Sequence, residues 1–464
     1  MDTVRYWVDA TLECNRRDHS ITNHSQRGPF RSARALGMTL MAMHDAWAAV
    51  SGGRAYHAKP ASKPGATPEG AAAAAAAKML FELYPGQIND LHAALTYHTA
   101  AQPLSAASRT AGEEAALAIL NWRAGDLAFM AGSYIPTGSP YDHNVDPLDP
   151  GQGFQGPLWG NAPPFLASQQ PFAVPPGAEV GGGFDPGAHY FAEYAEVAAK
   201  GAEQSATRTA DEEEIGIFWG YDGPANLGTP PRLYMQVALT VMDTLAARPG
   251  TWVTEAHLLG ALTAAAVAMA DAGIQAWHYK YSTPHMMWRP CLGIRNAAHA
   301  NTPKDPAWRP LGRPDTNGSG LALTPNFPAY PSGHATFGAA AFEVLRRYVR
   351  KHDTAHKFGD GEADKIAFTF VSDEFDGMNK DPRTGKPRQR KARHYPSLWQ
   401  AIVDNSESRI WLGVHWRFDG ISKKGPGDSS VFGRPGSPGQ LGLFGGVRLG
   451  MDIAKVVAAE RGFA

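Results

Sequence analysis

Three short segments in the second half of the chain carry residue types that can hold an anion and act on it. In "AYPSGHATFG", residues 329–338, Ser332 stands as an N-cap before Phe337, Ala341, Val344, Leu345 and Tyr348, which recur at helical spacing. A helix starting there has free first-turn N–H groups and the positive end of its dipole; Gly333 lets an anion approach them, and His334 sits on the rim. "SRIWLGVHWRFDG", residues 408–420, adds Arg409, His415 and Asp419. Asp419 lies four residues after His415, so on a helix the carboxylate fixes one ring nitrogen and leaves the other as a free lone pair. Arg409 would stand about 120° round the same helix and must reach back, unless the helix begins after it. "WHYKYSTPHMMWRPCLGIR", residues 277–295, contributes Lys280, Arg289 and Arg295.

Taken singly, each lysine or arginine reads as a solvated charge and each histidine as a satisfied structural residue. Together, planar guanidinium forks, a point charge, the Ser332 hydroxyl and the Gly333 amide suit a tetrahedral oxyanion, and two histidines remain for chemistry.

The elements that must position these residues read as helices. Leu36, Leu40, Met43, Trp47 and Val50 form the seam of a packed helix, and 69–98 and 105–131 are alanine-rich with similar periodicity. Eleven prolines between 134 and 187 exclude regular helix there and mark a long ordered loop. Helical pattern returns near 187–206, 232–248, 255–277, 332–350 and 396–420. The expected architecture is all-α: an N-terminal bundle within 1–165, which includes the start of the loop, and a C-terminal bundle, 188–464, that carries the anion site. Residues 353–394 form a charged excursion in which "KDPRTGKPRQRKARH" holds seven Lys or Arg; without interleaved aromatics it reads as a solvated loop able to steer anions.

A length of 464 residues supports a large core, and a formal net charge of −1 gives no global field for nucleic acid or an anionic membrane. Cys14 and Cys291 allow at most one disulfide and no cysteine-based zinc site. The segment 255–277 is mostly alanine and carries Glu255, His257 and Asp271, as a buried helix of a soluble protein does. No basic region followed by an apolar stretch opens the chain, so the expected location is cytoplasmic, with secretion as the alternative.

The trio of Lys with Arg-Pro, Pro-Ser-Gly-His, and Ser-Arg-x3-Gly-x-His-x3-Asp resembles the superfamily that joins vanadium-dependent haloperoxidases with type 2 phosphatidic acid phosphatases and bacterial acid phosphatases. "FPAYPSGHATFG", "SRIWLGVHWRFDG", "GPFRSARALGMTLMAMHDAW" and "FWGYDGPANLGTPPRLY" look specifically like the vanadium chloroperoxidases, so the likeness spans most of the chain. The resemblance implies a vanadate cofactor and no organic one. Lys280, Arg289, Ser332, Gly333 and Arg409 would bind its oxygens, His415 would coordinate vanadium, and His334 would be the acid and base. Asp222 of "YDG" would ion-pair with an active-site arginine, the alternative being a structural loop aspartate, and Trp277 and Phe327 would form the apolar halide pocket unless they are plain core aromatics. The spacing from Lys280 to Arg289 is two residues longer than the family's, which puts His285 at the site or on the surface. Hydrogen peroxide, a halide and an organic acceptor are the implied partners, with phosphate as a competing oxyanion. The same cage admits an acid phosphatase working through a phosphohistidine on His415, and a non-catalytic phosphate-binding scaffold is the third class.

Overall fold

Thr67 caps an alanine-rich helix by accepting the Gly70 N–H at 3.1 Å, and the Ala71–Ala77 run that follows is small enough to be buried on all sides. The computed structural model describes residues 2–179, 183–184, 187–318, 320 and 323–464. Its first five helices are α1 (Thr3–Asp18), α2 (Pro29–Ser51), α3 (Pro68–Leu83), α4 (Ile88–Ala101) and α5 (Ala106–Arg123). Helices α2, α3 and α5 pack closely because side chains at their contact are minimal: a Cβ on Gly112 of α5 would stand 2.4 Å from the Ala71 carbonyl oxygen of α3. Among the described residues nine α-helices follow: α6 (Ala188–Lys200), α7 (Ala210–Phe218), α8 (Pro230–Ala246), α9 (Glu255–Lys280), α10 (Pro290–Arg295), α11 (Gly333–His352), α12 (Leu398–Trp411), α13 (Arg417–Gly420) and α14 (Gly446–Arg461). The described strands form three two-stranded antiparallel pairs, so the fold is all-α in substance, as expected.

Helix α9 is the axis. It packs against α1, α2, α8, α11 and α14, and one continuous apolar core runs across all of them. It is long and apolar enough to cross a membrane, but 89% of its most apolar window is buried inside the fold. Both cysteines are buried and free, so the one disulfide that the sequence allowed does not form.

Local differences from the sequence expectation have backbone causes. The helix expected over 69–98 breaks at Pro85 into α3 and α4, and that over 105–131 gives way to a 3-10 turn at 124–129. That over 396–420 ends at Trp411 because Gly413 takes a positive φ of 71°. A Cβ on Gly413 would lie 2.3 Å from the Gly201 carbonyl oxygen, so the turn before His415 is pressed against the end of α6.

The described part of the 134–187 segment is loop with a single 3-10 turn and short extended pieces; residues 180–182 and 185–186 lie outside the described residues. It is clamped to α9. Buried Asp271 accepts backbone N–H groups from Phe165 at 2.5 Å, Leu166 at 2.9 Å and Ala167 at 2.7 Å, and Gln275 binds residues 167, 168 and 170. Asp271→Asn, which puts an amide where an acceptor is needed, is expected to cost about 2–3 kcal/mol in urea unfolding and to speed proteolysis of the loop. Unchanged stability and cleavage would remove the clamp.

The basic excursion is not free. Arg393 pairs with Asp211 and Glu214, Lys391 with Glu214 and Arg383 with Glu213, so three of the seven Lys or Arg at 380–394 are answered by α7, and Arg388 pairs with Glu374 and Asp381.

Candidate active site

The ends of α9, α10, α11 and α12 meet at one buried point. Lys280 is the last residue of α9, Arg289 the N-cap of α10, Ser332 the N-cap of α11 and Arg409 lies in the last turn of α12. The eight residues between Lys280 and Arg289 make a turn and an extended return. Both cations come back to the Phe327 ring, at 5.0 Å each. His285 leaves the cage and hydrogen-bonds the Phe172 carbonyl at 3.2 Å, while Arg295 binds the Trp308 carbonyl at 3.1 Å. Glycines place α11: a Cβ on Gly446 of α14 would stand 2.5 Å from the Ser332 carbonyl oxygen.

Each polar group has a defined task. Arg289 Nε donates to the Phe327 carbonyl at 2.9 Å and Nη1 to the Val414 carbonyl at 2.8 Å. The same Nη1 lies 2.8 Å from His415 Nε2. On the other side of that ring, Nδ1 lies 2.9 Å from Asp419 Oδ2, so Asp419 holds the proton on Nδ1 and the Nε2 lone pair accepts from Arg289 Nη1. The pairing arises at the N-terminal turn of α13, where Asp419 Oδ2 also accepts the Trp416 N–H at 2.9 Å; it is not a shared helix face, because His415 precedes the helix. Arg409 makes a two-pronged pair with Asp222 at 2.9 and 3.0 Å. His334 Nε2 bonds the Gly220 carbonyl at 2.7 Å, which leaves the lone pair on Nδ1. Lys280 donates all three ammonium protons to the Pro328, Ala329 and Pro331 carbonyls and so fixes the approach to Ser332.

The site is overloaded with positive charge. Burial pushes the Lys280 ammonium well below its ordinary value, with Arg289 and Arg409 adding repulsion, and burial brings Arg289 down to about 9. Burial also lifts the Asp419 carboxyl, against the Trp416 N–H and the nearby cations, and lowers His415 well below its usual range. Arg289 Nη2 and Arg409 Nε are buried without a hydrogen-bond partner, and the Gly333 N–H at the start of α11 has none among the described residues. Unanswered donors among buried cations are what a bound oxyanion would satisfy. Among the described residues no group of three or more His, Cys, Asp or Glu could hold a metal ion.

His334, pushed down to about 3 by burial and by Arg409, is neutral in the anion-free protein. Its folded value lies below the unfolded one, so its protonation erodes stability as pH falls below about 6.5 and no further below about 3. In NMR titration the His334 imidazole is expected to stay neutral down to about pH 3 and to move upward when orthovanadate or phosphate is added. A His334 titration near the ordinary histidine value without anion would contradict the buried, cation-flanked environment.

Several contributors were not legible beforehand. The Gly220 carbonyl that orients His334 has no side-chain signal, and Tyr234 and Asn405, which both bind the His334 carbonyl oxygen, look like ordinary helix residues. Gln155, whose carbonyl accepts from Trp277 Nε1 at 3.1 Å, lies in the proline-rich loop.

A helical fold whose helix ends converge on a buried oxyanion cage defines the class. Comparison with known proteins then fixes the family: residues 1–152 match the vanadium chloroperoxidase N-terminal domain and residues 261–427 the VCPO second helical-bundle domain. The chain is 31% identical to the vanadium chloroperoxidase of Curvularia inaequalis, over 91% of this chain and 79% of that protein. The fold is shared with a bacterial vanadium-dependent iodoperoxidase, at TM-score 0.68 and 21% identity, covering 98% of this chain and 95% of that one. It is shared too with the apo form of a bacterial vanadium-dependent chloroperoxidase, at TM-score 0.61 and 15% identity, covering 95% of each chain. The chain belongs to the vanadium chloroperoxidase family, and it is a vanadium-dependent haloperoxidase.

Proposed function

We propose that the chain oxidises chloride or bromide with hydrogen peroxide to hypohalous acid, using vanadate held by Arg289, Arg409, Ser332, Gly333 and Lys280 and ligated by His415 Nε2. The observation that carries this reading is the pair of buried, unpartnered donors Arg289 Nη2 and Arg409 Nε beside the histidine lone pair. Bound vanadate supplies Lewis-acid activation of peroxide without a change of oxidation state. The remaining work is done by the chain. His334 Nδ1 takes a proton from incoming peroxide and returns it to the departing oxygen. Asp222 holds Arg409 in place and stands 3.8 Å from His334 Nε2, which steadies the imidazolium that results. Lys280 acts mainly as a charge, since one N–H must leave a carbonyl before it can touch the anion.

Trp277 and Phe327, with ring centroids 4.8 Å apart, form an apolar wall next to Gly333 and His334. Such a wall excludes water from the halide's approach and strengthens the electrostatics acting on it. In this reading 188–464 supplies the whole cage, and the 1–165 bundle closes its outer side through Pro29 and Gln155. The test is halogenation of a simple dione with peroxide and chloride or bromide, with and without orthovanadate, alongside hydrolysis of an aryl phosphate. Vanadate-dependent halogenation is the expected result. Aryl phosphate hydrolysis inhibited by vanadate, with no halogenation, would overturn it in favour of phosphohistidine chemistry on His415.

A further inference from the structure

A cleft of about 540 Å³ opens outside the cage. It shares Asp222, Arg313, Gln155 and Asn326 with the small cavity that reaches Gly333 and His334, so the two adjoin. Halide and peroxide are each about the size of one or two water molecules, near 30 Å³ apiece, and leave most of that volume unexplained. The cleft is of the size that binds a small organic molecule.

Its chemistry is one-sided. Arg27, Arg31, Arg313 and His24 line it, and Asp222, the one carboxylate in its lining, is committed to Arg409. Arg31 Nη2 donates to the Met130 carbonyl at 3.3 Å. Among the described residues, no side-chain hydrogen bond engages the guanidinium of Arg27 or Arg313, and the charge of Arg313 acts on Asp222 at the cleft's inner end. The lining is mainly polar and also includes the aromatic side chains of Phe30 and Phe154. Guanidinium forks with aromatic rings in the same cleft match a molecule that carries a carboxylate on an aromatic ring.

We propose that this cleft docks the organic halogen acceptor, an aromatic acid, with Arg313 pairing the carboxylate and holding the ring at the mouth of the His334 cavity. The inference rests on the haloperoxidase reading. In the transfer, a ring C–H bond breaks and a carbon–halogen bond forms. The halogen comes from hypohalous acid as the electrophile, and the ring proton leaves with its hydroxide as water.

The vanadate-loaded protein, peroxide and bromide would be given equal amounts of 4-hydroxyphenylacetate and its neutral amide, and the product ratio compared with that from reagent hypobromous acid. The expected ratio favours the acid by about tenfold over the reagent, the worth of one charge-assisted contact. Arg313→Gln, and separately Arg27→Gln, should bring it back towards the reagent's value. Titration of 4-hydroxyphenylacetate into the loaded protein without peroxide gives a second readout, expected to weaken about tenfold in Arg313→Gln. A wild-type ratio equal to the reagent's, with no measurable binding, overturns the proposal and leaves halogenation to diffusing hypohalous acid. If neither acceptor is halogenated, the haloperoxidase reading itself fails, and the binding titration alone decides whether the cleft docks aromatic acids.

Discussion

His415→Ala is expected to lower vanadate-dependent halogenation by about 10³-fold or more, the scale on which removal of one essential active-site group falls. The ring is buried, fixed on one side by Asp419 and aimed at the cage on the other, so no neighbouring side chain can take over its lone pair. The substitution leaves the Trp416 N–H to Asp419 bond intact, and the turn is held independently by Gly413 against Gly201, so helical content by circular dichroism should survive. Calorimetric titration with orthovanadate separates binding from turnover: the variant keeps the cationic cage and should retain weakened anion affinity. Halogenation within tenfold of the parent would remove His415 from its assigned role. Asp419→Ala is the graded companion. It frees the His415 tautomer without removing the ring, and partners of this kind are worth about 10–100-fold.

Much of this centre was legible because it is written in contiguous motifs whose residue types have few other uses together. Ser332, Gly333 and His334 announce a helix start, and the structure begins α11 there with the Ser332 hydroxyl accepting the Ala335 N–H. The His415 to Asp419 contact was expected for the wrong local reason. A four-residue spacing reads as a helix face, yet Gly413 ends α12 and the pair forms in the cap of the next helix. The difference also removes the difficulty with Arg409, which points to the cage from the end of α12 rather than from round a continuous helix. What stayed hidden depends on backbone or on distant chain: the Gly220 carbonyl on His334, the loop clamp on Asp271, and α14, whose Gly446 and Gly450 press on the first turns of α11. Carbonyls have no side-chain signature, and close helix approach is a property of two segments that periodicity treats one at a time. The cleft is hidden for the same reason, since it is assembled from the turn before α2, the proline-rich loop and residues near 313.

Asp222→Ala should destabilise the vanadate-free protein by about 3–5 kcal/mol, because it strands the Arg409 guanidinium in the interior with its counter-charge gone. Burial alone would raise the Asp222 carboxyl, but Arg409 and then His334 overcome it and hold it below its ordinary value. Its stabilising contribution is therefore present above the unfolded value of about 3.9 and fades as pH falls through the lowered folded value. The same charge argument gives the variant an opposite response to ligand. An oxyanion entering the cage returns a negative charge to Arg409, so orthovanadate or phosphate should raise the melting temperature of Asp222→Ala by more than it raises that of the parent. Activity should not follow stability. With Arg409 no longer held by two hydrogen bonds and His334 without its nearby carboxylate, the anion binds but proton transfer suffers, and halogenation should fall about 10²-fold. Asp222→Asn tests the charge alone, since it keeps the shape and one acceptor oxygen. If scanning calorimetry finds equal anion-induced shifts in Asp222→Ala, Asp222→Asn and the parent, then Arg409 is not part of the anion's binding site, and the cage reduces to Arg289 and the start of α11.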